Sequence, residues 1–154
     1  MPVDNTGVAT AARCASLALE LLAQVIDVSK PPERDAWAAR ARQESEALRR
    51  FAEEDIAAYN RYLESKQATS LRDAIEIPMK AAHAVIVGTE LCAAIAKSVK
   101  AALAADLRVA AALLSAALRG ILQCVHVNLQ AAGDDPGYAD VRAELRELKS
   151  RIGG

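Results

Sequence analysis

An aspartate stands on the apolar face of a long helical segment in the first half of the chain. The segment "EEDIAAYNRYLE" spans residues 53–64. At the three-and-four spacing of one helix face, its neighbours are Leu48, Ala52, Tyr59 and Tyr62. A carboxylate buried in a cleft has a raised pKa, which suits a role in proton transfer. The alternative is an edge position, where Asp55 would be solvated or paired with an arginine such as Arg49 or Arg61.

A second acid, Asp106, opens the predicted fourth helix. It is either a plain first-turn acid that stabilises the helix dipole or a second polar group of a site. At 100° per residue it shares a helix face with Cys124 and Asn128. Asp106 and Asn128 are about 33 Å apart along the axis, so they cannot belong to one site within a chain. In an antiparallel dimer they would belong to different pockets.

The remaining polar residues on apolar segments have structural interpretations. His83 and His126 have no second ligand at four-residue spacing, so they are interpreted as packed or surface histidines and no metal site is predicted. The sequence has no P-loop, no GxGxxG and no nucleophile elbow. Four cations in apolar surroundings are candidates for anion binding, although most are expected to be paired: Arg13, Lys80, Arg108 and Arg119.

Composition predicts one all-α domain over residues 1–154. Alanine, the strongest helix former, dominates the sequence, and 154 residues suffice for a sizeable core. A formal net charge of -1 gives no reason to expect nucleic-acid binding. The apolar run 109–118 is too short for a bilayer span and is interpreted as a helix buried on all sides. The three cysteines, without CxxC spacing, and the absence of a secretory signal favour reduced thiols and a cytoplasmic location.

Four long helices must position these residues. Helix 1 is predicted over 7–29 with Thr6 as N-cap, and helix 2 from Pro32 to Gln67. Helix 3 starts at a Ser70 cap and continues through Pro78 with a kink. Helix 4 covers 106–131, and a short charged helix follows the turn "GDDPG".

Short connections between these helices predict an antiparallel bundle of four long helices plus a short C-terminal helix. The fourth helix is apolar all round and needs more neighbours than its own chain supplies. A homodimer is therefore expected.

Three stretches resemble the cyclodeaminase and cyclohydrolase family that acts on folate one-carbon units. They are "EEDIAAYNRYLESKQ", "AIEIPMKAAHAVI" and "ADLRVAAALLSAALRGILQCVHVNLQ". Four family patterns occur in the right order: D-x-x-A-[F/Y], V-P-L, S-D-x-x-V-A-A and N-V-x-I-N-L. The matching residues are Asp55 with Ala58 and Tyr59, Ile77-Pro78-Met79, Asp106 with Val109-Ala110-Ala111, and Val125 with Val127-Asn128-Leu129.

The chain departs from the family at several of these positions. The family's P-G-G-G-S turn before helix 1 is replaced by "VDNTG", which keeps only Gly7. The Gly-Asn that precedes S-D corresponds to Val99 and Lys100. The serine of S-D is Ala105, and the first asparagine of N-V-x-I-N-L is Cys124.

The resemblance implies a small-molecule substrate and no cofactor. The substrate would be 5,10-methenyltetrahydrofolate, hydrolysed by water, or 5-formiminotetrahydrofolate, cyclised with loss of ammonia. Asp55 would be the acid-base group and Asp106 a second electrostatic group. Asn128 would orient the ligand and Tyr59 would stack on the pterin. Tyr62 and Arg108 are further candidates for substrate binding.

Two alternatives stay open beside that function. The lost glycines favour a paralogue recruited to another cyclic imine or amidine, with a smaller or less anionic ligand. A non-catalytic helical dimer is the other alternative, and it predicts that Asp55 faces solvent or pairs with an arginine.

Overall fold

The structure, a computed structural model, describes residues 1–153. Its α-helices are α1 Gly7–Ser29, α2 Arg34–Ser65, α3 Ala68–Ile95, α4 Ala104–Ala131 and α5 Ala139–Ile152. Single 3₁₀ turns at Ala101–Leu103 and Pro136–Tyr138 precede α4 and α5. Helices α1 and α3 each pack against both α2 and α4, while α5 packs on α4. The predicted all-α antiparallel bundle with a short C-terminal helix is confirmed.

Small residues let the helices approach closely in the middle of the bundle. The centre contains fully buried leucine, isoleucine and valine side chains from α1, α2, α3 and α4. A Cβ atom added at Gly88 on α3 would lie 2.9 Å from Leu19 and 3.1 Å from Leu114. Since real Cβ atoms do not approach that closely, glycine is needed where α3 meets α1 and α4.

Most predicted helix limits are close to the observed ones. Helix α1 has the predicted bounds, and the Thr6 hydroxyl caps it by accepting from the Ala9 N–H. Helix α3 continues through Pro78 as predicted. The Ser70 cap was wrong: α3 begins at Ala68 with Gln67 as N-cap, and the Ser70 hydroxyl instead contacts the hydroxyl of Ser65.

Helices α2 and α4 begin at positions other than the predicted ones. Helix α2 starts at Arg34 because Pro31 accepts the Arg34 N–H in a separate turn. It ends before Lys66, which adopts a left-handed conformation with φ 52°. Helix α4 starts at Ala104 after the 3₁₀ turn, so Asp106 lies inside its first turn and is not the N-cap.

A single chain does not bury the fourth helix on all sides. Val109 is 49% exposed, Val127 is 53% exposed, and Leu113 is also exposed. On α1 the exposed apolar side chains are Leu17 and Val28. The segments Gly7–Ser29 and Ala101–Ala131 are long and apolar enough to span a membrane by length and composition, a test that core helices of soluble proteins also pass. Within one chain, α4 therefore keeps an apolar face without a partner.

Two buried serines join α1 to α2 in the middle of their interface. The Ser16 hydroxyl lies 3.0 Å from the Ser45 carbonyl oxygen, and the Ser45 hydroxyl lies 3.1 Å from the Ser16 carbonyl oxygen. The two hydroxyl oxygens are 2.7 Å apart. Each hydroxyl thus has an acceptor on the opposite helix, which removes the penalty of burying it.

Candidate functional site

A cleft of about 380 Å³ opens where the start of α1 meets the second half of α2 and the end of α4. The N-terminal segment and α1 contribute Asn5, Thr6, Gly7 and Val8 to its wall. Helices α2 and α3 contribute Asp55, Tyr59 and Ala74, and α4 contributes Gln123, Cys124, Val127 and Asn128. Clefts of this size, mostly apolar with a few convergent polar groups, are the usual form of small-molecule sites.

Among residues 1–153, Asp55 is the only carboxylate in the wall of this cleft. Asp55 is 4% exposed, and its Oδ2 atom accepts a hydrogen bond of 2.6 Å from the Thr6 hydroxyl. The Thr6 oxygen in turn accepts the Ala9 N–H at 3.0 Å. Asp55 is therefore held at the N-terminal end of α1, where the helix dipole favours negative charge.

Burial dominates the ionisation of Asp55. Loss of water around the carboxyl group raises the pKa of Asp55 above its usual value, and the hydrogen bond from Thr6 opposes that rise. A raised pKa brings the protonated and ionised forms of a carboxyl group closer to equal populations at neutral pH. Such a group can accept and return a proton during one reaction cycle.

The segment before α1 is tied to α2 at a second point near Asp55. The Asn60 side chain donates to the Val3 carbonyl at 3.0 Å and accepts the Val3 N–H at 2.8 Å. Asn60 lies five residues after Asp55, so the segment contacts α2 at both positions. The segment therefore forms a fixed wall of the cleft.

Cys124 on α4 lines the cleft together with Gly7 and Asp55. A Cβ atom added at Gly7 would lie 3.1 Å from the Cys124 sulfur, so glycine allows α1 and α4 to meet here. Burial raises the pKa of the Cys124 thiol, and the charge of nearby Asp55 raises it further. The thiol is therefore kept protonated and serves as a small, weakly polar surface facing the cleft.

Tyr59 and Asn128 lie in the cleft with Asp55. The Tyr59 ring is half-buried one helical turn after Asp55. The Asn128 Nδ2 donates to the Ala74 carbonyl at 2.7 Å. That bond uses one of the two Nδ2 hydrogens and orients the amide, so the Oδ1 atom and the second Nδ2 hydrogen are left for a ligand.

Three other sequence candidates do not line this cleft. Asp106 and Arg108 lie in the first turn and a half of α4, about 33 Å and about 30 Å from Asn128 along a straight helix. Tyr62 is turned away, and its ring lies under the Lys66 ammonium at 4.7 Å from the centroid. Within one chain the structure thus separates Asp106, Arg108 and Tyr62 from Asp55.

Sequence reasoning missed several lining residues for identifiable reasons. Thr6 was assigned only a capping role, because its contact with Asp55 joins residues 49 positions apart. Cys124 was assigned to the core, although its placement one turn before Asn128 on the same face is a signal that could have found it.

Cations near the cleft are engaged elsewhere. No lysine or arginine is among the lining residues within 1–153. Arg13, which follows the lining segment, donates to Asn5 at 3.1 Å and pairs with Glu53 at 2.6 Å. The cleft of a single chain therefore presents one negative group and no positive one.

The fold and the site define an all-α helical-bundle domain with a buried carboxylate in a cleft at one end. Comparison with known proteins identifies the family. The family model described as formiminotransferase-cyclodeaminase matches residues 6–147. The chain belongs to the formiminotransferase-cyclodeaminase family, as the sequence motifs predicted.

A solved structure shows the same fold. The crystal structure of formiminotetrahydrofolate cyclodeaminase from Thermotoga maritima matches with a TM-score of 0.89 at 20% sequence identity. The match covers 97% of this chain and 83% of that chain. No curated protein sequence matches the chain.

Proposed function

We propose that the chain is an enzyme that performs acid-base catalysis on a cyclic amidine or imine, with a folate one-carbon derivative as substrate. Membership of the formiminotransferase-cyclodeaminase family supports folate chemistry at the level of the family. The observation on which the proposal rests is Asp55, a buried carboxylate with a raised pKa that opens on a cleft.

Asp55 would move one proton in either family reaction. In hydrolysis of 5,10-methenyltetrahydrofolate, water adds to the amidinium carbon and Asp55 takes the proton that this water loses. The acid then gives the proton to the nitrogen whose bond to carbon breaks, and the intermediate's hydroxyl proton leaves to solvent as the formyl group forms. In cyclodeamination, the secondary amine outside the pterin ring adds to the carbon of the protonated formimino group, and Asp55 takes the proton that this nitrogen loses. Asp55 then gives the proton to the amino group, which leaves as ammonia as the cyclic methenyl cation forms.

Two other residues of the cleft would position the substrate. Tyr59 offers an aromatic face one turn from Asp55, suited to stacking on a flat pterin. Asn128 Oδ1 would accept an N–H of the ligand, because the bond from Nδ2 to the Ala74 carbonyl fixes the orientation of the amide. Holding the ring against Asp55 would supply the proximity that the proton transfer needs.

A non-catalytic scaffold is less well supported by the placement of Asp55. That alternative predicts an aspartate that faces solvent or pairs with Arg49 or Arg61. Asp55 is instead 4% exposed. Arg49 pairs with Glu20 at 3.0 Å, and Arg61 lies 3.5 Å from Asp73. Neither arginine neutralises Asp55.

A homodimer forms part of the proposal. The exposed apolar side chains of α1 and α4 are Leu17, Val28, Val109, Leu113 and Val127, and a second copy would cover them. Val127 also lines the cleft, so the proposed interface borders the site. Asp106 and Arg108 can serve this cleft only from a second copy packed antiparallel on that face.

The substrate is tested by supplying both folate derivatives to the purified protein. Loss of the near-ultraviolet absorbance of 5,10-methenyltetrahydrofolate, above its spontaneous hydrolysis, reports cyclohydrolase activity. Ammonia release from 5-formiminotetrahydrofolate reports cyclodeaminase activity. We expect acceleration of at least one reaction; a folded protein that accelerates neither contradicts the folate assignment.

A second candidate function follows from the charge of the cleft. Because no lysine or arginine lines it within one chain, the cleft offers no partner for an anionic glutamate tail. This favours a paralogue that acts on a smaller, cationic cyclic imine or amidine through the same Asp55. A panel of cyclic amidines without carboxylates, assayed beside the two folates, distinguishes the candidates by which class is turned over.

A further inference from the structure

The Thr6 hydroxyl makes two hydrogen bonds with opposite directions. Its oxygen accepts the Ala9 N–H at 3.0 Å and caps α1. Its one proton has Asp55 Oδ2 as acceptor at 2.6 Å, a length typical of a hydroxyl bound to a carboxylate. In this arrangement the hydroxyl gives its single proton to Asp55, so Oδ2 is the acceptor of the bond.

The other oxygen of Asp55 has no partner of this kind. Among residues 1–153, no side-chain or backbone group donates to Oδ1, and no fully occluded side-chain oxygen lacks a partner. Oδ1 therefore keeps contact with the space of the cleft that Asp55 lines. The two oxygens are thus unequal: one faces Thr6 and the other faces the ligand space.

We propose that Thr6 is the positioning residue for Asp55, and that its donated hydrogen bond reserves Oδ1 as the oxygen that exchanges protons with the ligand. This inference rests on the proposed function for its catalytic consequence. When Asp55 is neutral, its proton lies on Oδ1, because Oδ2 already accepts from Thr6. When Oδ1 gives that proton to a ligand nitrogen, Oδ2 keeps the Thr6 bond and shares the negative charge; water or the next substrate returns the proton.

Few titratable groups near Asp55 could change its ionisation in the way that loss of the Thr6 hydrogen bond would. On α4 the titratable group facing Asp55 is Cys124, and on α2 it is Tyr59. The residues that α1, α3 and the N-terminal segment place in the cleft wall are uncharged. The Val3 and Asn60 bonds hold the segment against α2 independently of Thr6. Removal of the Thr6 hydroxyl should therefore change the donor to Asp55 while the segment stays in place.

Three substitutions separate positioning from helix capping. Thr6→Ser keeps both hydrogen bonds. Thr6→Val and Thr6→Gly both remove the donor to Asp55, but glycine is a far better N-cap than valine. If loss of the hydrogen bond to Asp55 causes the change in the variants, the change should be equal in Thr6→Val and Thr6→Gly and absent in Thr6→Ser. If weaker capping of α1 causes it instead, the change should be large in Thr6→Val and small in Thr6→Gly.

The readout is the titration of Asp55 by carbon NMR of the labelled carboxyl group, assigned by its loss in Asp55→Asn. Because the Thr6 bond lowers the pKa of Asp55, we expect the midpoint to rise by about one pH unit in both Thr6→Val and Thr6→Gly. Thr6→Ser should titrate like the unsubstituted chain. An unchanged midpoint in Val and Gly, or a change that follows cap strength, would overturn the inference.

Turnover provides the second readout on the substrate that the unsubstituted chain converts. We expect kcat to fall about tenfold to a hundredfold in Thr6→Val and Thr6→Gly and to be restored in Thr6→Ser. If no substrate is converted, the proposed function fails, yet the NMR titration still decides whether Thr6 sets the ionisation of Asp55. A shifted titration with unchanged turnover would overturn the catalytic part alone.

Discussion

Two polar pairs join α1 to α2, and they differ in what they leave unsatisfied. The Ser16 and Ser45 hydroxyls each lie within hydrogen-bonding distance of a carbonyl on the opposite helix, and neither lines the cleft. The Thr6 and Asp55 pair contains a charge-bearing group, satisfies one of its oxygens and leaves the other facing the cleft. The first pair is complete within the chain, whereas the second is complete only with a ligand.

This difference separates structural from functional buried polarity. A buried polar group whose hydrogen bonds are all made within the protein stabilises packing without offering anything to a ligand. A buried carboxyl group with one free oxygen keeps the desolvation penalty that raises its pKa. The hydrogen-bond partners of a buried polar group therefore indicate whether its role is structural or functional. Asp55 has one carboxylate oxygen without a partner in the chain, which indicates a functional role.

The largest expected effect belongs to the incomplete pair. Asp55→Asn keeps the size and the acceptor of the side chain but cannot exchange a proton. On whichever substrate the unsubstituted chain converts, turnover should fall about 10²-fold to 10⁴-fold. Steady-state rates measured with the thermal midpoint of each variant test this. Equal rates with equal midpoints would show that Asp55 is not the acid-base group.

The complete pair should affect stability alone. Ser45→Ala removes one donor and one packing contact between α1 and α2, and the free energy of unfolding should fall by about 0.5–1.5 kcal/mol. Turnover per folded molecule should stay unchanged, because Ser45 does not line the cleft. Urea unfolding beside the rate assay checks both. Loss of turnover in this variant would remove the distinction between the two pairs.

The third expected effect is the contribution of Asp55 to the pH dependence of stability. Its pKa is raised in the folded protein above its ordinary value of 3.8, so the folded state holds this proton more tightly than the unfolded chain does. The resulting stabilisation is present below pH 3.8 and is lost as the pH rises through the folded pKa. Each unit of pKa shift corresponds to about 1.4 kcal/mol.

Urea unfolding between pH 4 and pH 8, compared with Asp55→Asn, isolates this contribution. The difference between the two proteins should change with pH in the direction that favours Asp55 at low pH. The same difference between Ser45→Ala and the unsubstituted chain should stay constant. A constant difference for Asp55 would mean that its carboxyl group is not desolvated in the folded state.

Local sequence signals predicted the fold because they are strong and repeated. Thr6 before an apolar run, prolines between helices and the "GDDPG" turn set the number and order of the helices. The helix periodicity also placed Asp55, Tyr59 and Asn128 on faces that the structure brings together at one cleft. The true start of α3 was missed, and Ser70 wrongly assigned as its cap, because Gln67 and Ala68 start the helix with no side-chain hydrogen bond to mark it.

Contacts between distant residues were beyond local patterns. The Thr6 bond to Asp55 depends on how α1 crosses α2, which periodicity does not specify. The exposed face of α4 follows from the arrangement of its neighbours, since hydrophobic composition alone predicted burial on all sides. Asp106 matched a family motif and Arg108 was a candidate for substrate binding, yet the length of α4 separates both from Asp55 within one chain.

The most direct test of the central claim is chemical rescue of Asp55→Ala by formate, measured as turnover of the converted substrate. Alanine opens space beside the cleft, and a small carboxylic acid can occupy it and replace the missing proton carrier. We predict that turnover is lost in Asp55→Ala and recovers with formate concentration, while Asp55→Asn stays inactive and Ser45→Ala does not respond. Undiminished turnover of Asp55→Ala without formate would contradict the role of Asp55.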